Sequence, residues 1–276
     1  MIYLYAYTNH RADLDSLRRM GALWEILREA GIEAELLLND YRAQLAGREL
    51  GLPPATTIET VMDIDAVAEY GDTVVIDSPE DAGERMERYV ERFERVLRVC
   101  PGGGESAYGE GVVDPFAPET ILYRSYGGGE SGEGTLLLYG DSDASKELLS
   151  ASERFSGRGW DLYWGHYFYV KYEESLAERF ARIRESEEYP ELFGDYRRIL
   201  TAMPQSALEA AAAGVDLLYL GGTGAKRGEE ALRSLGIPVR SWEELAAAPE
   251  ETAQWAATVS DLPRVDAECW LELIGG

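Results

Sequence analysis

The sequence predicts an α/β fold, built as two Rossmann-like parallel-sheet domains facing a cleft. Three observations carry that prediction. Short apolar runs alternate with longer helical patterns, the mark of a parallel sheet covered on both faces. The alternation stops in a glycine-rich stretch between Cys100 and Gly134 and restarts after it. A length of 276 residues suits two domains of ordinary size. The expected division is an N-terminal domain over 1–125, a glycine-rich linker over 126–133, a C-terminal domain over 134–260, and a tail over 261–276. That tail either packs back on the first domain or meets another subunit.

In the first half, Ile2 to Tyr7 reads as a strand and "TNHRADLD" as a polar loop. Leu17, Met20, Leu23, Trp24 and Leu27 recur at helical spacing across Leu14 to Ala30, and Gly31 ends that helix. "IEAELLLND" is a second strand, "YRAQLAGRELG" a helix with a glycine stop, and "IETVMDIDAVAEYG" a further helix. "DTVVIDSPED" is a buried strand closing on Asp77. From Ala82 to Val99 the pattern predicts one long helix, with Met86, Tyr89, Val90, Phe93, Val96 and Leu97 as its apolar face.

"PGGGESAYGEG" and "SYGGGESGEG" then flank the apolar piece "TILYRS". A phosphate-cradling glycine loop must lie between a strand and a helix. Neither stretch does, so both read as linker or exposed loop.

The second half repeats the alternation. "TLLLYGDSDASKELLSASERF" is strand, turn and helix, "WDLYWGHYFYV" a strand with a polar break, and Tyr172 to Ser186 a helix. "YRRILTAMPQSALEAAAAG" is a short strand and an alanine-rich helix. "VDLLYLGGTGAKRGEEALRSLG" is strand, glycine loop and helix, and "IPVRSWEELAAAPEETAQWAATV" a short strand and helices.

The net charge of −25 argues against non-specific contact with nucleic acid or an anionic membrane. Lys146, Lys171 and Lys226 are the only lysines. Cys100 and Cys269 are too far apart for a disulfide framework or a metal-spaced pair. "MIYLYAY" is too short for a signal peptide and no run reaches membrane-spanning length. The expectation is a cytoplasmic protein with no nucleic-acid partner and no membrane insertion, with a homo-oligomer left open.

Ligands of open α/β sheets gather at the carboxyl ends of the strands, so the loops there supply the candidate residues. In "YGDSDASKE", Gly140 permits a tight turn. Asp141, Ser142 and Asp143 either cap a helix beginning near Ala144 or border a phosphate held by its exposed amides. Two aspartates are awkward beside a phosphate, so one faces away or meets a sugar hydroxyl. His10 ends the first strand, where a general base faces the cleft; the alternative is a loop histidine bonded to nearby backbone. His166, ringed by aromatics, reads as a packing residue. Asn39, Asp40 and Asp77 end other strands of the first half and are placed to bind acceptor hydroxyls.

The alanine helix raises a separate question. Pro204 suits a first helical turn, and Ala207 with Ala210 to Ala213 allow close approach to a sheet. Neither explains an acid at Glu209. A carboxylate near a helix start accepts both hydroxyls of a ribose, and the amides near Gln205 and Ser206 suit a phosphate. Lys226 and Arg227, in the next loop, are placed to offset diphosphate charge.

"SALEAAAAGVDLLYLGG" resembles the nucleotide-binding segment of GT-B glycosyltransferases and their relatives. The resemblance implies that Glu209 holds the ribose of a nucleotide diphosphate sugar. "LLLYGDSD" is similar to the opening loop of that family's C-terminal half, which implies that Gly140 and Ser142 approach the phosphates. Length and layout are similar to the nucleotide-sugar hydrolases of the pseudaminic acid pathway, whose first-loop histidine would be His10. The chain departs from the family in lacking glycines before His10 and a proline after Gly214.

The leading reading is therefore an enzyme transferring or hydrolysing the glycosyl group of a nucleotide-activated sugar. It needs no metal and no cofactor, because helix amides and a basic side chain offset the diphosphate charge. A second reading keeps the fold without turnover, as a nucleotide- or sugar-binding or assembly protein. A two-domain solute-binding protein is a third.

Overall fold

The computed structural model describes residues 1–11, 13–127, 132–168, 173–222, 226–247 and 257–275, without the side chains of Glu173, Lys226 and Arg227. The chain divides into two units: unit 1 is Met1–Arg124 with Pro263–Gly276, and unit 2 is Ser125–Leu262.

Unit 1 holds six strands: β1 (Ile2–Ala6), β2 (Ala34–Leu38), β3 (Thr56–Thr57), β4 (Thr73–Asp77), β5 (Arg95–Val99) and β6 (Gly111–Val113). Their order is β3-β2-β1-β4-β5-β6 and all pairs are parallel. The order reverses direction between β1 and β4, the switch point of a doubly wound sheet. β4 is buried along its whole length, as expected of a parallel strand covered on both faces. α1 (Asp15–Glu29), α2 (Tyr41–Glu49) and α3 (Glu84–Arg92) are its helices. Residues 58–71, read as a helix, form only a 3₁₀ turn over Val61–Ala66, started by a capping box between Thr60 and Asp63.

The predicted long helix over 82–99 is two elements. α3 stops at Arg92, Phe93 is extended, and β5 pairs with β4 from Thr73↔Arg95 onward. Val96, Leu97 and Val99 are buried as members of the sheet. β6 lies inside the stretch read as connection, and its Gly111 has a packing reason. A Cβ there would come within 2.5 Å of the Leu97 side chain on the paired strand.

The C-terminal segment belongs to unit 1. Its helix, residues Ala267–Gly275, buries Trp270 and Ile274. Arg95 donates to the carbonyls of Glu272 and Leu273 at 3.0 and 2.5 Å, a cation at the helix end where carbonyls lack partners.

Unit 2 repeats the topology with β7 (Thr135–Leu138), β8 (Asp161–Trp164), β9 (Ile183–Glu185), β10 (Arg198–Thr201), β11 (Asp216–Leu220) and β12 (Val239–Arg240). The order is β12-β11-β10-β7-β8-β9, again all parallel. Its helices are α4 (Glu147–Ala151), α5 (Glu173–Ala177), α6 (Tyr189–Asp195), α7 (Pro204–Ala212), α8 (Lys226–Ser234) and α9 (Trp242–Ala247); the unit 1 C-terminal helix is α10. The helix read over 172–186 is α5 followed by strand β9. α4 starts three residues later than Ala144, at Glu147.

Side chains alternate across the sheet. Leu137, Leu162, Leu200 and Leu218 share one core cluster with Leu148 and Phe155 on the α4 side. Tyr163, on the opposite face, meets Tyr189 of α6 with ring centroids 5.7 Å apart. Among the described residues no helix is long and apolar enough to cross a membrane.

Candidate functional site

In unit 2 the strand order reverses between β7 and β10, so the loop 139–146 and the start of α7 flank the switch point. Asp141 is fully buried. Its Oδ1 accepts from the Tyr163 hydroxyl at 3.2 Å, and its carbonyl accepts from the Tyr167 amide at 2.8 Å. The loop after β8 presses directly on it, because a Cβ at Gly165 would lie 2.3 Å from Asp141 Cα. Asp141 therefore ties two loops together and faces inward.

Asp143 lies three residues before Lys146, the N-cap residue of α4, and its side chain reaches the first turn of that helix. Its two oxygens accept from the amides of Leu148 and Leu149 at 3.2 and 2.9 Å. Two amides of the first turn of α4 are thus engaged by a carboxylate. Ser142 is half-buried and Gly140 buried. The Tyr139 hydroxyl donates to Glu147 at 3.1 Å. Burial first, then the charges of Glu147 and Asp143, push that phenol above its ordinary range and keep it protonated.

α7 begins at Pro204, whose ring fills the place of a Cβ on Gly228 of α8, 2.9 Å away. Gln205, Ser206 and Glu209 on its first two turns are all fully buried. Burying a carboxylate is costly without hydrogen bonds, and here the Tyr189 hydroxyl supplies one, at 2.5 Å to Glu209 Oε2. The same hydroxyl lies 2.7 Å from Ser206 Oγ. Sequence reasoning expected a sugar hydroxyl at Glu209; the structure puts a protein hydroxyl on it.

In unit 1 the corresponding edge holds the loops after β1 and β4. His10 is exposed in the β1 loop. Asn39 braces that loop, accepting from the Thr8 amide at 2.8 Å and donating to the Thr8 carbonyl at 3.0 Å. Asp40 caps α2 through the Arg42 amide at 3.0 Å. Asp77 is buried and bound on both oxygens by Arg19, at 2.6 and 3.1 Å. Burial alone would lower the Arg19 guanidinium, but the adjacent Asp77 charge and its hydrogen bond raise it above its ordinary value. Of the three residues expected to meet an acceptor, Asn39 and Asp40 hold the backbone and Asp77 neutralises an arginine.

Lys226 starts α8, but its side chain and that of Arg227 lie outside the described residues. His166 is half-buried in the loop after β8, between Gly165 and the buried Tyr167. Among the described residues no group of three or more His, Cys, Asp or Glu is arranged to hold a metal.

No protein-family model and no curated protein matches the sequence. Solved structures do match. The chain is similar over 100% of its length to 98% of the S. aureus MnaA–UDP structure, at 12% identity and a TM-score of 0.61. It is similar over 99% of its length to 98% of UDP-GlcNAc 2-epimerase from Neisseria meningitidis bound to UDP-GlcNAc, at 8% identity and 0.59. It is similar over 99% to 96% of the Streptomyces sp. SF2575 glycosyltransferase SsfS6 complexed with thymidine diphosphate, at 12% and 0.59. At such identities the likeness is one of fold.

The chain has a GT-B-type fold. That fold accounts for two sheets of the same order, each with its own switch point. Within the GT-B framework, sequence reasoning found the loops at both switch points but missed the residues that fasten them: Arg19, Tyr163, Gly165 and Tyr189. "DLYW" and "EYPELFGD" carried Tyr163 and Tyr189, without a periodicity that assigns one tyrosine to one carboxylate. The glycine in "YWGHY" was the available signal for Gly165.

Proposed function

We propose that this protein acts on a nucleotide-activated sugar, with the nucleotide held by unit 2 at the carboxyl ends of β7 and β10. The observation that carries this reading is the switch point between those strands, which are followed by the loop Gly140–Asp143 and by the first turns of α7, Gln205–Glu209. Support comes from the three similar structures, described with UDP, UDP-GlcNAc and thymidine diphosphate.

In this reading Glu209 accepts ribose hydroxyls and the α7 start carries the phosphates, with Lys226 offsetting their charge. An oxygen of water or of an acceptor bonds to the anomeric carbon. The bond from that carbon to the diphosphate oxygen breaks, and its electron pair leaves with the nucleotide. His10 takes the proton from the attacking oxygen. No metal or cofactor takes part.

A calorimetric titration of UDP, GDP, CMP and TDP into the wild type and Glu209→Ala tests the nucleotide site. A bond to a charged acceptor contributes about 1.5–3 kcal/mol, so the variant should bind roughly ten- to a hundredfold more weakly. Sugars carrying the preferred base are then assayed for nucleotide release, with and without EDTA and with His10→Ala. Failure of every nucleotide to bind the wild type rejects the reading.

One observation favours a second reading, nucleotide binding without turnover. Asp77, the last residue of β4 beside β1, is held by Arg19 on both oxygens. Tight nucleotide binding with no release from any sugar donor would select it.

A further inference from the structure

Asn39, Asp40 and Asp77, the residues expected to meet an acceptor, are engaged by backbone and by Arg19. The loop after β4 carries a further acid, Glu80, whose two oxygens are used differently. Oε2 accepts three hydrogen bonds: from the Tyr5 hydroxyl at 2.7 Å, the Ser78 hydroxyl at 3.0 Å and the Val61 N–H at 3.1 Å. Oε1 accepts none among the described residues, and the half-buried side chain leaves it open to solvent. Asp77 and Asp143, by contrast, spend both oxygens on protein donors.

The donors fix this carboxylate from several sides. Tyr5 belongs to β1, Val61 opens the 3₁₀ turn that follows β3, and Ser78 follows β4. β1 and β4 flank the switch point of unit 1, and ligands of such sheets gather at that edge. Burial first, then the hydrogen bond and charge of Glu80, push the Tyr5 phenol above its ordinary range, so it stays a donor. A side chain locked by its own contacts loses little freedom when a ligand arrives. An ionised carboxylate oxygen only accepts hydrogen bonds, so Oε1 suits a hydroxyl and repels an anion.

We propose that Glu80 is the acceptor-binding carboxylate of unit 1, with Oε1 accepting from a hydroxyl of the substrate while Oε2 stays anchored. This rests on the enzymatic reading above. When water attacks, one of its protons goes to His10 and its other O–H donates to Oε1. When an acceptor attacks, its reacting hydroxyl gives its proton to His10 and another of its hydroxyls donates to Oε1. Glu80 keeps its charge throughout and takes no proton. The acceptor is therefore water or a neutral compound carrying a hydroxyl beyond the reacting one.

Glu80→Gln separates substrate binding from fastening the loop. Its amide oxygen still accepts from Tyr5, Ser78 and Val61, but an amide N–H donor replaces the open oxygen. Wild type and variant are compared by thermal melting and by calorimetry with UDP, GDP, CMP and TDP. Nucleotide release is then followed from UDP-GlcNAc, GDP-mannose, CMP-sialate and TDP-glucose, in water and with glycerol as added acceptor. Glu80→Gln should melt close to wild type and bind nucleotide as wild type does. Its kcat/KM for release should fall roughly ten- to a hundredfold, the range of a bond to a charged acceptor. Release at the wild-type rate overturns the inference and leaves the proposed function standing. Release lost only together with melting temperature or nucleotide affinity marks a structural acid and overturns it too. So does a wild type that binds nucleotide but releases it from no donor. If Glu80→Gln does not fold, Tyr5→Phe decides. It loosens Oε2 alone and should slow release about 2- to 10-fold; unchanged release there overturns the inference. A wild type that binds no nucleotide rejects the proposed function and this inference with it.

Discussion

Arg19 of α1 closes on Asp77 at the end of β4 through two hydrogen bonds, Nε to Oδ2 at 2.6 Å and an Nη to Oδ1 at 3.1 Å. Both side chains are nearly covered, at 7% and 6% exposure. The pair pins α1 to the end of β4 at the switch point of unit 1. Breaking such a pair from one side leaves a buried charge without its counter-ion, which costs about 3–5 kcal/mol. Replacing both partners by apolar residues of similar volume is close to neutral. Asp77→Ala should therefore lower the melting temperature far more than the double variant Arg19→Met with Asp77→Leu. Equal losses in differential scanning calorimetry would show that packing, and not the charge, holds α1.

Gly165 offers a sharper structural test. An added Cβ there meets backbone, 2.3 Å from Asp141 Cα and 2.7 Å from its carbonyl oxygen. Backbone cannot yield as a flexible side-chain end does, so the two loops must separate. That breaks the hydrogen bond from the Tyr167 N–H to the Asp141 carbonyl and overpacks the site, at about 1–3 kcal/mol or more. Gly165→Ala should melt several degrees lower. Gly127→Ala, where nothing lies within 4 Å, should melt like the wild type.

These residues also show where sequence reasoning stopped. The alternation of strands and helices was legible because parallel strands such as β4 and β7 are unbroken apolar runs between polar loops. Residues 93–99 were not, because "FERVLRV" satisfies a helical period as well as a strand. Only pairing with β4 on one side and β6 on the other decides it. The loops of the candidate site were legible from strand polarity. The partners of their side chains were not: Asp77 with Arg19 spans 58 residues and Glu209 with Tyr189 spans 20, and no local pattern encodes either contact. The bonds of Asp143 to the Leu148 and Leu149 amides, by contrast, span only five and six residues.

Glu110 predicts a pH dependence. Its carboxylate is almost covered and accepts from Ser106 Oγ, the amides of Ala107 and Tyr108, and Arg98 at 3.0 Å. Burial raises it, but these hydrogen bonds outweigh burial and hold it below its ordinary value. A carboxyl depressed on folding contributes stability that is present above its unfolded value, near 4.3, and is lost as pH falls through the folded value. Wild type should therefore lose melting temperature more steeply than Glu110→Gln on acidification below about pH 5. At pH 7 the variant should be the less stable of the two. Parallel profiles for both proteins would rule out Glu110 as a source of acid sensitivity.

The last prediction concerns the whole surface. With 51 acidic against 26 basic residues, the chain carries a net charge of −25. Several acids are neutralised in pairs such as Arg184 with Glu188 and Asp195, both at 2.8 Å, yet the imbalance remains on the exterior. Like charges at that density repel, and folding concentrates them, so the compact state is destabilised at low ionic strength. Salt shortens the screening length from about 10 Å at 0.1 M to about 3 Å at 1 M, which relieves the repulsion. The same screening weakens surface ion pairs, but each of these contributes only about 0–1 kcal/mol, so the general repulsion wins. Melting temperature should rise steadily with KCl up to molar concentration, and Glu69 or Tyr70 variants in one exposed turn should barely alter the slope. A melting temperature that is flat or falls with KCl would mean that specific ion pairs, not the net charge, govern the electrostatics of this fold.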